Sequence, residues 1–176
     1  VDLTAIVAFP EKAGVDSLAY TFHLLPDNKI SIRIIESVLD EKIADSYLEN
    51  FLMQQFTARD FQVIENDFMQ SLKDPELVNA GSFDRLAPQA AIDFIVFGNV
   101  TINRTNKYTD AMHFAWARAV VKVFDVQKSE IIASIIHEDK GAGNSPKDAG
   151  IKAIQKAAEN VSTQIVEKIE NKGRSD

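Results

Sequence analysis

The sequence predicts a mixed α/β (α+β) domain. A single mixed sheet begins with parallel strands and ends in an antiparallel three-strand meander. Helices pack on it, and the last helix is long. Three observations predict this. Residues 93–138 read as three consecutive strands, the one long β run in the chain. Ahead of it, alternating apolar stretches are separated by apolar residues at helical spacing, so the early strands are joined through helices. Behind it, a capped amphipathic run reaches almost to the C-terminus.

Taken in order, residues 3–9 form a short strand stopped by Pro10. Residues 18–25 alternate, with Tyr20, Phe22 and Leu24 on one side. Pro26-Asp27-Asn28 is a turn, because proline presets φ and Asp and Asn tolerate tight turns. Ile30, Ile32 and Ile34 then share one face of a strand over residues 30–36, so the two strands read as a hairpin. Asp45 or Ser46 caps a helix carrying Leu48, Phe51, Leu52 and Phe56, and Ser46 with Glu49 has capping-box spacing. Residues 61–65 form a short strand. Residues 67–73 and 82–89 form short helices, limited by Pro75 and Pro88.

Residues 94–97 are apolar at four successive positions, as in a strand covered on both faces. Beyond Gly98 the pattern alternates, so the strand leaves the doubly covered core halfway along. Residues 104–113 are polar and read as a loop at the strand tips. In the next strand Ala117, Ala119, Val121 and Val123 share a face small enough for close helix packing. Residues 130–136 are the last strand, with a free outer edge. Residues 140–144 read as a flexible glycine loop. Ser145 caps the last helix, with Pro146 at its first position. Its stripe is Ile154, Ala157, Ala158, Val161, Ile165 and Ile169. Residues 1–176 read as one domain, with residues 1–29 as an extension holding an extra strand or hairpin and residues 171–176 as a flexible tail.

Composition narrows the function. A net charge of −7 excludes a general nucleic-acid binder and a polybasic membrane contact. There is no cysteine, hence no disulfide and no thiolate chemistry. His23, His113 and His137 are scattered without ligand spacing, so no metal and no other cofactor is expected. Asp93, Asp125, Glu130 and Glu138 flank strands, where solvated acids are ordinary. Ser31, Ser129 and Ser145 lack a nucleophile elbow, so no catalytic residue is assigned.

Several motifs resemble the bacterial cell-envelope superfamily that includes the curli secretion channel protein CsgG, the amino-terminal domain of TolB, the lipoprotein LpoB and the middle domain of FlgT. They are Phe61-Gln62-Val63-Ile64-Glu65, the strand from Asp93 to Val100 with its Gly98, and Val123-Phe124-Asp125-Val126 followed by Glu130-Ile131-Ile132-Ala133-Ser134. The alanine-rich helix after Gly150 is the fourth. Ala91-Ile92-Asp93 departs from the family's Gly-Ala-Asp. The short segment 104–113 has no room for the channel protein's membrane-spanning hairpins, which argues against a pore. The resemblance implies a non-enzymatic domain of the periplasm or an outer-membrane lipoprotein, acting in the assembly or regulation of an envelope machine. Its partners would be other envelope proteins or further copies of itself, and its membrane link a lipid anchor upstream of Val1.

Two candidate sites follow. Tyr108, Met112, Phe114 and Trp116 cluster near the strand tips, where aromatics anchor protein contacts. They serve equally to cover the end of the core. With Ile132 and Ser134 on the last strand, which accepts a partner strand by β-augmentation, they form the partner-binding candidate. The alternative is a small-ligand or anion site at Gly141, Gly143, Asn144 and Ser145, using free backbone N–H groups ahead of a helix. The same residues also read as a plain hinge.

Overall fold

The computed structural model describes residues 2–7, 18–23, 28–39, 41–65 and 92–173. In chain order these hold β1 (Asp2–Val7), β2 (Leu18–His23), β3 (Lys29–Val38), β4 (Glu41–Lys42), α1 (Tyr47–Thr57), β5 (Gln62–Val63), β6 (Phe94–Thr109), β7 (Met112–Asp125), β8 (Glu130–Gly143) and α2 (Pro146–Gly173). Six strands make one mixed sheet in the order β4-β3-β6-β7-β8, with β5 also against β3. β3 runs parallel to β6 from Ile30↔Phe94 to Ser37↔Thr101. β6, β7 and β8 are the antiparallel meander.

The strand at residues 18–25 does not pair with the one at residues 30–36. β2 pairs antiparallel with β1, from Asp2↔His23 to Val7↔Leu18. β3 has no edge to give it. β6 takes one side, while β5 and β4 share the other, and between them Glu49 Oε2 accepts the Ile34 N–H at 2.8 Å. The helices expected at residues 67–73 and 82–89 lie outside the described residues.

β6 is buried on both faces where the sequence is continuously apolar. Ile95 and Phe97 on one face and Val96 on the other are at most 1% exposed. The face with Val96 and Val100 meets the helices. There Ala115, Ala117, Ala119, Val121 and Val123 of β7 are fully buried, as are Ala149, Ala153, Ala157 and Ala158 of α2. Small side chains on both surfaces bring the helix close to the sheet. Leu48, Leu52 and Phe56 of α1 complete this layer at 0% exposure, each stabilising by about 1.5–3 kcal/mol through burial.

α1 begins where the sequence expects. Ser46 is extended and its Oγ accepts the Glu49 N–H at 3.1 Å. The helix ends in a paired turn, with the Phe61 N–H donating to Phe56 O and the Asp60 N–H to Thr57 O. This is a Schellman closure, with Asp60 at φ 62° in the place glycine usually takes. The Phe56 and Phe61 rings meet at 5.0 Å and seal it.

Two expectations are corrected. Residues 104–113 are not a loop: β6 and β7 continue to Thr109↔Met112 around Asp110 and Ala111. This end of the hairpin is solvated, so its residues lack the apolar alternation that marks a half-buried strand. Residues 140–143 are not a flexible loop but the end of β8, paired with β7 as far as His113↔Gly143. α2 itself runs to Gly173.

Candidate functional site

β3 ends its pairing with β6 at Thr101, and the chain turns away through Leu39 at φ 51°. β6, β7 and β8 go on without it as a three-stranded tongue. On the helix side the tongue is small and buried, with Ala115 and Gly141 directly opposed. Side chains alternate across a strand, so the opposite face carries Phe114 and Trp116 of β7 and Lys140 of β8.

A bulge brings β6 into the same arrangement. The register steps between Ile102↔Ala117 and Arg104↔Trp116, leaving Asn103 as the extra residue. Without that step Arg104 would follow Ile102 onto the helix side. With it, the Arg104 guanidinium lies 3.9 Å from the Trp116 ring centroid. From the other flank Lys140 Nζ lies 3.7 Å from the Phe114 centroid and 5.1 Å from that of Trp116. Phe114 and Trp116 are 6.5 Å apart, and Tyr108 meets Phe114 edge-on at 5.9 Å. The result is a ladder of aromatic rings flanked by two cations. Arg104 and Lys140 are exposed, and neither forms an ion pair among the described residues.

The structure therefore brings Tyr108, Phe114 and Trp116 together. Tyr108 is 71% exposed, and Met112, beside the turn, is 42% exposed. The residues of the last strand fare differently. Ser134 is exposed, but Ile132 is half-buried and packs on the core. Sequence reasoning missed Arg104 and Lys140, because it placed both in loops. Their contribution depends on a bulge and a three-strand register, which leave little local signal.

The glycine segment is built for packing. Gly141 and Gly143 are buried in β8. The start of α2 already holds an anion of its own: Asp148 Oδ2 accepts the Asn144 N–H at 2.9 Å and lies 3.1 Å from Lys152 Nζ. These two contacts, the backbone one first, hold the Asp148 carboxyl below its ordinary 3.8. Ser145 Oγ accepts the Asp148 N–H at 3.1 Å. At the anion site expected at Gly141, Gly143, Asn144 and Ser145, the Asn144 N–H is thus already bonded to a carboxylate of the chain itself.

A second internal carboxylate serves α1. Glu36 of β3, 1% exposed, accepts the Leu48 N–H through Oε1 and the Tyr47 N–H through Oε2, both at 2.8 Å. Burial pushes its carboxyl above the usual 4.5, although these two bonds pull the other way. Elsewhere His137 Nε2 lies 2.8 Å from Asp139 Oδ2, which also accepts from Asn160 Nδ2. Among the described residues no group of three or more potential ligands is placed to hold a metal, and no helix is long and apolar enough to cross a membrane.

The model of a family described as TP0693-like lipoprotein, C-terminal domain, matches residues 32–169, from β3 almost to the end of α2. A search of the curated proteins returned no match. Among solved structures, a minor lipoprotein from Acinetobacter baumannii is 12% identical over 80% of this chain and 94% of its own, with a TM-score of 0.45. Lipoprotein GNA1162 from Neisseria meningitidis is 10% identical over 80% of this chain and 99% of its own, with a TM-score of 0.43. TolB from Acinetobacter baumannii is 15% identical over 96% of this chain and 31% of its own, with a TM-score of 0.45. These structural likenesses carry no argument of their own.

Proposed function

Because the chain belongs to the TP0693-like lipoprotein C-terminal domain family, we propose that it is a non-enzymatic cell-envelope domain that works by holding another envelope protein. It acts in the periplasm or tethered to the outer membrane, as an assembly or regulatory component of an envelope machine. The lipoprotein family supports the envelope location. The sequence likeness to the CsgG, TolB, LpoB and FlgT domains agrees with it.

One observation carries the binding role: the ladder in which Tyr108, Arg104 and Lys140 are exposed and Phe114 and Trp116 are half-buried between them. Tyrosine, tryptophan and arginine dominate the energetic centres of protein interfaces. Here they are ordered before any partner arrives, because three paired strands and mutual stacking fix them. Ordering costs at binding fall accordingly. The outer edge of β8, where Ser134 is exposed, gives a partner strand a place to pair beside the ladder.

Deleting residues 105–111, or replacing Ser134 with proline, tests this in cells that produce the protein. Loss of co-purifying envelope proteins, with thermal unfolding still cooperative, is the expected result. Unchanged co-purification from both variants would overturn the proposal.

A further inference from the structure

We infer that the surface bound at the ladder is acidic: an extended segment of a partner protein presenting two carboxylates that engage Arg104 and Lys140 together. This rests on the partner-binding reading above and goes further, to the chemistry of the partner.

The argument starts from what binding must cover. Arg104 and Lys140 lie on the rings, 3.9 and 5.1 Å from the one Trp116 centroid. A partner that buries the aromatics takes both cations out of water with them. Burying a charge without a counter-charge is strongly unfavourable, and stacking on a ring recovers only a fraction of that cost. Among the described residues no carboxylate pairs with either cation. Glu138, two residues before Lys140, accepts from Asn103 Nδ2 at 2.9 Å. The counter-charges must therefore come from the partner, and two side chains of one extended strand can reach two cations flanking one indole. The position is unusual in a chain of net charge −7, which repels acidic proteins elsewhere and so favours this face by contrast.

A membrane surface fits less well. The apex of the hairpin, which would enter the headgroups first, carries Asp110 with its side chain 98% exposed.

The test places a photo-crosslinking amino acid at Asn106, which is exposed and opposite Phe114 in the register, in cells that produce the protein. A second copy carries it at Ser134. Captured peptides are mapped by mass spectrometry. Capture at position 106 of a segment with two acidic residues within about four positions is expected. Its yield should fall at least tenfold in Arg104→Gln/Lys140→Gln and stay unchanged in Lys107→Gln, whose ammonium already pairs with Asp110. Capture that is insensitive to the double substitution, or of a neutral or basic segment, or of lipid, overturns the inference while leaving a binding role intact. Protein capture at position 134 alone does the same. No capture at either position overturns the binding role too.

Discussion

Gly141→Ala tests whether the glycines of β8 serve packing or looseness. Gly141 faces the start of α2. A Cβ placed there lies 2.3 Å from Ala149 O, 2.3 Å from Ala153 N and 2.9 Å from Ala153 Cα. All three are backbone atoms, so no side-chain rotation relieves the overlap. Non-bonded heavy atoms settle near 3.5 Å, so the helix must lift by roughly 1 Å. Such a gap forfeits about a quarter to a half of each contact's attraction, and Ala149, Ala153, Ile154 and Ala157 are all fully buried beneath it. Overpacking by one carbon usually costs about 1–3 kcal/mol; clash with backbone alone puts Gly141→Ala near the upper end, about 3 kcal/mol. Gly150→Ala is the internal comparison. Its Cβ meets side chains, Val38 Cγ1 at 2.9 Å and Ile102 Cγ1 at 3.3 Å. Those can yield, and alanine inside a helix gains about 1 kcal/mol over glycine. Urea unfolding of both variants, with unchanged slope, reads the difference as a shift in midpoint. A Gly141→Ala cost below about 0.5 kcal/mol, or below that of Gly150→Ala, would refute the close-packing account, because ordinary surface changes lie in that range.

Glu36→Gln removes a titrating group whose folded value is raised by burial. The acid binds its proton more tightly folded than unfolded, so its contribution is greatest below its ordinary 4.5 and is lost as pH rises through the raised value. The stability of the wild type minus that of Glu36→Gln should therefore fall with rising pH across this window; a flat or rising difference refutes it. The amide also leaves one of the Tyr47 and Leu48 N–H groups without an acceptor, a cost of about 1–3 kcal/mol that chemical denaturation would register. Asp60→Gly should stabilise by roughly 0.5–1 kcal/mol, because φ 62° strains an aspartate and suits glycine; an unfolding midpoint at or below that of the wild type counts against it.

The parts of the fold that were legible in the sequence are those where one local rule decides. Ser46 and Ser145 stand ahead of amphipathic runs, and both cap helices. Residues 94–97 are apolar throughout, and the strand is buried on both faces. The errors fall where a distant neighbour decides. Pro26-Asp27-Asn28 suggests a turn between adjacent strands, but β3 is flanked by β6 on one side and by β4 and β5 on the other, and β5 and β6 lie well along the chain. Gly141 and Gly143 look like a loop because the helix that requires them small comes later in the sequence. The aromatic half of the site was visible as composition around residues 108–116. The cationic half needed the Asn103 bulge and the pairing of β8, which only the assembled sheet supplies.

The two internal carboxylates bear on which surface is open to a partner. Helix N-termini attract anions through free N–H groups, and the sequence made the start of α2 a candidate on that ground. Both described helices answer the demand from within. Glu36 reaches from β3 to two N–H groups of α1, and Asp148 folds back onto the Asn144 N–H ahead of α2. An incoming anion would have to displace a bonded carboxylate at either place. At the ladder the situation is reversed. Arg104 and Lys140 hold rings in place of acids, so a carboxylate arriving there displaces only water. Among the described residues, carboxylates thus meet the backbone at both helix starts, while none pairs with Arg104 or Lys140. That difference is the physical reason to look for the partner on the open face of the tongue rather than at the helix ends.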